Sequence, residues 1–271
     1  MIKKNLCIAI LSVSLSCITN SQTSFDLSKH YDLKKPSEYF EMPYELREIS
    51  GIDTINAHQL ITHNDEKGEI FIYDLNNESI KKTISFGKKG DYENITIVGK
   101  TAFVLRSDGT IYEVKNYLEN PITTIHKTFL SKKDNVESLC YDQENNQLLL
   151  ATKGNKVKKI YAFSLENNEL ISKPIFEINP KIIKKHYHTK NDFSPSAIAI
   201  QPITKNYIIL SSIGKMLVEF DNEGQLIHVF NINYAYFRQP EGLCFSKNGD
   251  MYISNESKNS KANILKFDYL P

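Results

Sequence analysis

The sequence predicts an all-β protein, a five-bladed β-propeller, and three observations lead to it. A short motif recurs at a nearly constant period, each copy is followed by strand-like runs separated by polar turns, and the final unit is one strand short. The motif copies are "ISGIDT", "YENITI", "VESLCY", "PSAIAI" and "PEGLCF". Aligned on their second residue they put Ser50, Glu93, Glu137, Ser196 and Glu241 in one column, with spacings of 43, 44, 59 and 45 residues. Such a period is the mark of a repeat architecture.

The chain begins "MIKKNLCIAILSVSLSCITNSQ": two lysines, an apolar run from Leu6 to Leu15, then small polar residues. The run is too short to span a bilayer as a mature helix and reads as a secretory signal over 1–21. Cleavage near Ser21 releases the protein, and Cys17 offers the alternative of lipid attachment. Either way the expected location is the periplasm or cell envelope. Residues 22–271 then form a single propeller domain. Within it "FDLSKHYDL", residues 25–33, is the strand-like piece left over to supply the missing outer strand of the last blade. Pairing it there closes the ring and removes its open edge. Six blades, the alternative, need a unit that the sequence does not contain.

Each unit continues with a second strand ("HQLITHND", "TAFVLRSD", "NQLLLATKG", "NYIILSSIG", "DMYISNES") and a third ("EIFIYDL", "TIYEV", "KIYAF", "MLVEFD", "NILKFD"). Four units add a fourth: "SIKKTISF", "ITTIHKTF", "LISKPIFEI" and "LIHVFNI". Short β-branched and aromatic runs broken by Gly, Asn and Asp turns are strand signals, and four per repeat make a propeller blade. The motif is then the inner strand lining the channel. Its fourth residue (Ile52, Ile95, Leu139, Ile198, Leu243) is expected to pack between blades. Its third (Gly51, Asn94, Ser138, Ala197, Gly242) is small because five strands converge there. Cys140 and Cys244 share a column in blades that are not neighbours, which predicts two free core thiols.

Removing Lys3 and Lys4 from the 33 basic residues leaves 31 against 32 acidic ones, so no basic excess speaks for nucleic acid. Linear motifs for a nucleophilic serine, a zinc protease, a P-loop or a dinucleotide site are absent from the sequence. Catalysis by carboxylates gathered from separate blades stays open, because such sites have no linear motif.

Antiparallel pairing sets the start of the first strand beside the end of the second. The Ser/Glu column therefore shares one rim with His63, Asn64 and Asp65, with Arg106, with Lys153, and with Asn255 and Glu256. Arg106 is expected to pair with Glu93, and Lys153 with Glu137. Glu241, with Glu256, Glu48 and Asp65, forms an acidic surplus where the ring closes. Such a surplus suits a hard cation, and calcium takes six to eight oxygen ligands of this kind. The candidate metal ligands are thus Glu93, Glu137, Glu241, Glu48, Asp65 and Glu256, and the candidate ligand-binding groups are Arg106, Lys153, His63, Asn64 and Asn255. Solvated charges and in-blade ion pairs that only fix the architecture are the competing reading. The long 59-residue spacing contains "KIIKKHYHTKNDFSP", an insertion on the same rim. It is read as an extended lysine-rich loop, on which His186 and His188 point the same way.

Taken together, "EISGID", "YENITIVG", "FVLRSDGTIYEV", "VESLCYDQENNQLLLATK", "YIILSSIGKMLVEFDNEGQLI" and "PEGLCFSKNGDMYISNE" resemble the SdiA-regulated, YjiK/CarP-like propeller family of bacterial envelope proteins. The resemblance runs from about Tyr31 to Phe267. It implies an exported or membrane-associated propeller, linked in part of the family to calcium response and without an established reaction; phytase-like activity is inferred for some members by similarity. The chain departs from the pattern at Ser196 and Ala197, which breaks any complete ring of ligands. Two functions remain. One is a non-enzymatic, monomeric propeller binding calcium, a small anionic ligand or an envelope protein at the channel rim. The other is a metal-dependent hydrolase of phosphate esters or lactones.

Overall fold

Twenty-one strands assemble into five sheets, as the period requires, in a computed structural model that describes residues 26–186, 192–257 and 260–271. Blade 1 runs outward from Ile49–Asn56 through Gln59–Asn64 and Glu69–Asp74 to Ser79–Ser85. Blade 2 is Tyr92–Val98, Thr101–Arg106, Ile111–Lys115 and Ile122–His126. Blade 4 is Ala197–Ile200, Tyr207–Ser211, Met216–Phe220 and Leu226–Asn231. In blade 3 the strands Val136–Asp142, Gln147–Thr152 and Lys158–Ser164 carry a broken outer strand. Its two pieces, Glu169–Leu170 and Phe176–Ile178, both pair with Lys158–Ser164. Pro174 between them has no N–H to give the ladder, so the single predicted strand divides.

Blade 5 (Pro240–Phe245, Met251–Asn255, Asn263–Phe267) is closed by an N-terminal strand, but not by residues 25–33. The closing strand is Glu38–Glu41, which sets Glu38 against Lys266 and Phe40 against Ile264. The 25–33 piece instead holds a short helix, Leu27–His30, because Asp26 caps it by accepting from the Ser28 N–H (3.1 Å) and hydroxyl (2.7 Å). Its apolar residues are used differently: Leu27 and Tyr31 are buried in the seam between blades 4 and 5, and the Tyr31 hydroxyl donates to the Gly249 carbonyl at 2.6 Å. The insertion before blade 4 also differs from expectation, since it opens with a helix, Pro180–His186, rather than an extended segment. The side chain of His186 and the whole of His188 lie outside the described residues, as do the leader and Cys17.

The core is five seams. Ile52 packs with Cys244 and Tyr252 between blades 5 and 1, and Ile95 with Ile61 and Ile72 between blades 1 and 2. Leu139, Ile198 and Leu243 continue the pattern in the three remaining seams. Cys140 and Cys244 are free and buried in different seams, and burial raises both thiol pKa values well above the ordinary range. The small column is as tight as its composition requires. A Cβ on Gly51 would stand 2.6 Å from the Asn94 Cα, and one on Gly242 would stand 2.6 Å from the Ser50 carbonyl oxygen of the neighbouring blade. Gly242→Ala is therefore expected to cost about 1–3 kcal/mol by overpacking, read as a lower urea midpoint. An unchanged midpoint would mean that the inner strands are not in contact there.

Candidate functional site

The inner strands begin at one mouth of the channel, and register places the end of each second strand beside them: Ile49 faces Asn64, Tyr92 faces Arg106, Val136 faces Thr152 and Pro240 faces Asn255. One residue further out, main-chain bonds tie Asp65 to Glu48 (3.1 Å), Lys153 to Asn135 (2.8 Å) and Glu256 to Gln239 (2.9 Å). In blades 1, 2, 3 and 5 the ladder shifts register at the motif column, between Tyr92 and Asn94, Val136 and Ser138, Pro240 and Gly242, and Ile49 and Ile52. A bulge leaves its extra residue out of the ladder and re-aims its side chain. That residue is the glutamate in three of the four blades. The two serines of the column join neighbouring blades instead, since Ser50 Oγ donates to the Glu93 carbonyl (2.6 Å) and Ser196 Oγ to the Pro240 carbonyl (3.2 Å).

The result is a pit of about 170 Å³ lined by Glu48, Asp65, Asp91, Glu93, Glu137, Glu241 and Glu256, with Lys153 as its one cation among the described residues. All six predicted metal-binding carboxylates are there, with Lys153. Asp91 and Gln239 escape a reading of the motif alone, because each immediately precedes its inner strand and falls outside it. Lys153 Nζ lies 3.1 Å from Glu137 Oε1, the predicted pairing, and Asn135 Nδ2 donates to the same oxygen at 2.6 Å. Gln239 Nε2 donates to Glu256 Oε2, and the Ser107 hydroxyl to Asp91 Oδ2.

Arg106 does not pair with Glu93. Its guanidinium forks onto Asp108 (2.7 and 3.0 Å) and donates to the Tyr112 hydroxyl, since Asp108 lies two residues ahead in the same tight turn. His63 is fully buried: its Nε2 accepts from the Gly51 N–H at 3.1 Å, and burial pushes its pKa down to about 4. Asn64 caps its turn by accepting from the Glu66 and Lys67 N–H groups, and Asn255 donates to Asn263. None of these four lines the pit.

Burial and mutual repulsion make the pit carboxyls resist ionisation. Glu93 is pushed up to about 9 by burial first and then by Glu137 and Asp91. Burial, then Glu137, pushes Glu241 up to about 7, with Lys153 opposing. Asp65 also reaches about 7 through burial, Glu48 and Glu256, and its Oδ1 is buried without a hydrogen-bond partner among the described residues. Glu137 is raised by burial against the pull of Lys153. Burial works against the Lys153 ammonium, yet Glu137, Glu241 and Glu93 together hold its pKa above the ordinary value. Among the described residues no group of three or more His, Cys, Asp or Glu side chains is arranged in its present conformation to hold a metal ion.

The other end of the channel opens into a larger cavity of about 510 Å³ with a mixed polar and apolar wall that includes Cys140 and Cys244. Its single carboxylate, Asp53, is already engaged by the Thr54 N–H (2.7 Å), the Ile97 N–H and the Thr96 hydroxyl (both 2.9 Å). The chemistry therefore concentrates at the acidic mouth. Among the described residues no helix is long and apolar enough to cross a membrane.

The sequence profile of the family described as SdiA-regulated matches residues 46–259, which covers all five motif copies. Among curated proteins none matches the sequence. Solved structures similar in fold include the glutaminyl cyclase of Myxococcus xanthus, at a TM-score of 0.62 and 10% identity over 88% of this chain and 97% of that one. A streptogramin B lyase is similar at 0.55 and 8% identity, over 86% and 97% of the two chains. The PQQ-bound aldose sugar dehydrogenase of Streptomyces coelicolor is similar at 0.54 and 10% identity, over 87% and 98%. At such identities the likeness shows the fold alone.

Proposed function

The chain belongs to the SdiA-regulated family of propellers, and from that premise we propose that it is an exported, envelope-associated binding protein whose acidic channel mouth takes one divalent cation. The observation that carries this reading is the imbalance of the pit among the described residues, seven carboxyls from four blades against a single lysine. Carboxyls that stay protonated near neutrality for want of positive charge are those a cation ionises by entering. The donors are carboxylate and amide oxygens, without a thiolate or an accessible imidazole. That set suits calcium, whose irregular shell of six to eight oxygens tolerates ligands drawn from separate strands. The side chains must swing inward to enclose the ion, and Glu93, Glu241 and Asp65 lose their protons as they do.

Inside the pit no cation among the described residues is free to orient an anion, which speaks for binding over hydrolysis. Arg106 is held by Asp108 and Lys153 by Glu137. A phosphate ester brought to the pit meets carboxylates with, among the described residues lining it, no unpaired side-chain cation beside the metal to orient it. Calorimetric titration of chelator-stripped protein with calcium is expected to show one site, and proton release that is larger near pH 6 than near pH 8.5. Failure to bind millimolar calcium defeats the proposal. Turnover of a generic phosphate ester or lactone with calcium present favours the hydrolase instead.

A further inference from the structure

The face around the pit carries six exposed lysines in its loops, although the whole chain is close to neutral. Loops that lead from an outer strand to the next inner strand, and hairpins between second and third strands, all open on this face. The first such loop carries Lys88 and Lys89, the second Lys132 and Lys133, the blade 3 hairpin Lys156, and the helix before blade 4 Lys185. All six are exposed, and none forms a salt bridge among the described residues. Loops on the opposite face carry Asp142, Glu144, Asp221 and Glu223 together with Lys100, Lys205 and Lys247. These lysines thus form an arc on the pit-bearing face, from the loop between blades 1 and 2 to the helix before blade 4, and share that face with the exposed Glu45, Glu66, Asp91 and Asp192.

Large apolar side chains tip loops of the same face, Phe129 in the loop that carries Lys132 and Lys133 and the others in the loops beyond Lys185. Phe129 is 54% exposed, Ile213 64% and Tyr234 63%, each at the tip of a loop on this same face. Lys215 Nζ stands 5.6 Å over the Tyr234 ring, and Arg47 stands 4.8 Å over the ring of Tyr44, itself 76% exposed. A dissolved polyanion would use the lysines and leave Ile213 and Phe129 in water. A lipid surface uses both, because its phosphates sit outside a layer that accepts aromatic and aliphatic tips. We propose that the pit-bearing face docks on an anionic phospholipid surface, with the lysine arc on the headgroup phosphates and Phe129, Ile213 and Tyr234 dipping into the interface. The docking does not rest on the cation reading, since the lysines act without a metal.

The test is cosedimentation of the full chain, in chelator, with phosphatidylcholine vesicles containing about 30% phosphatidylglycerol and with phosphatidylcholine alone. Binding is expected only to the anionic vesicles and is expected to fade with salt. Joint replacement Lys88→Glu, Lys89→Glu, Lys132→Glu and Lys133→Glu is expected to weaken it at least about tenfold, since each cation near such a surface contributes measurably. The N-terminal leader is unaltered in that variant, so binding that persists in it overturns the proposal. Equal binding to neutral vesicles, or preference for dissolved polyphosphate over vesicles, overturns it too. A second readout needs no loss of charge, because the chain contains no tryptophan. Ile213→Trp is expected to shift its emission to the blue on anionic vesicles, whereas Leu118→Trp, on the opposite face, stays unchanged. Equal shifts at both positions contradict docking by this face.

Discussion

Lys153→Met is expected to lower the unfolding temperature of calcium-free protein by roughly 6–12 °C at about pH 8, because breaking a buried ion pair costs about 3 kcal/mol or more in a domain of this size. Lys153 is 26% exposed and Glu137 9%, so water screens the pair poorly. The lysine also faces Glu241 and Glu93, and its loss leaves three inner-strand carboxyls with no cation among the described residues that line the pit. The cost should shrink toward pH 5, where Glu93 and Glu241 are protonated and little charge is left to neutralise. Added calcium should recover more stability in the variant than in the wild type, since the ion replaces the missing ammonium. A melting temperature unchanged at pH 8 would mean that the glutamates are solvated and the pit does not confine charge.

Stability of the calcium-free wild type should fall as pH rises from about 5 to 9. Glu93 and Glu241 titrate in the folded protein near 9 and near 7, above the ordinary glutamate value of 4.5. Between the unfolded and folded values the native state holds more protons than the unfolded chain. The slope of unfolding free energy against pH is then negative. The stability these groups lend is complete below the unfolded value and disappears as pH passes through the folded ones. Asp65, raised to about 7, adds to the fall in the same window. Saturating calcium should flatten the curve, because the bound ion removes the repulsion that holds the protons on. Denaturant midpoints at pH 5, 7 and 9, with and without calcium, check this; a calcium-free midpoint that climbs across the range contradicts the raised carboxyls.

Blade number and most of the pit's membership, though not Asp91 and Gln239, could be read from the sequence because they follow from a column. Glu93, Glu137 and Glu241 share one place in a repeat, and strand antiparallelism then brings Asp65, Lys153 and Glu256 beside them. What followed from individual side-chain choices could not be read. Arg106 turned to Asp108 because a turn two residues long offered a closer carboxylate, and His63 turned inward to accept the Gly51 N–H. The bulges that aim the glutamates into the channel have no glycine or proline to announce them in blades 2 and 3. The closing strand was hidden for a different reason: Glu38–Glu41 is four residues long and gains its register only from Asn263–Phe267, far along the chain. Residues 25–33 alternate convincingly, yet a local cap at Asp26 and burial of Leu27 and Tyr31 in a seam outweigh that pattern.

The central claim, that the acidic mouth is built for a cation, is tested most directly by the unfolding temperature of chelator-stripped protein with and without millimolar calcium, in wild type and in Glu241→Gln. Calcium at about 100 times its dissociation constant should add roughly 2.7 kcal/mol, or on the order of 5–10 °C. The account predicts that shift in the wild type and its loss in Glu241→Gln, whose neutral amide keeps the shape of the glutamate but not its charge. A wild type indifferent to calcium, or a variant that shifts equally, would contradict it and leave the seven carboxyls as architecture alone.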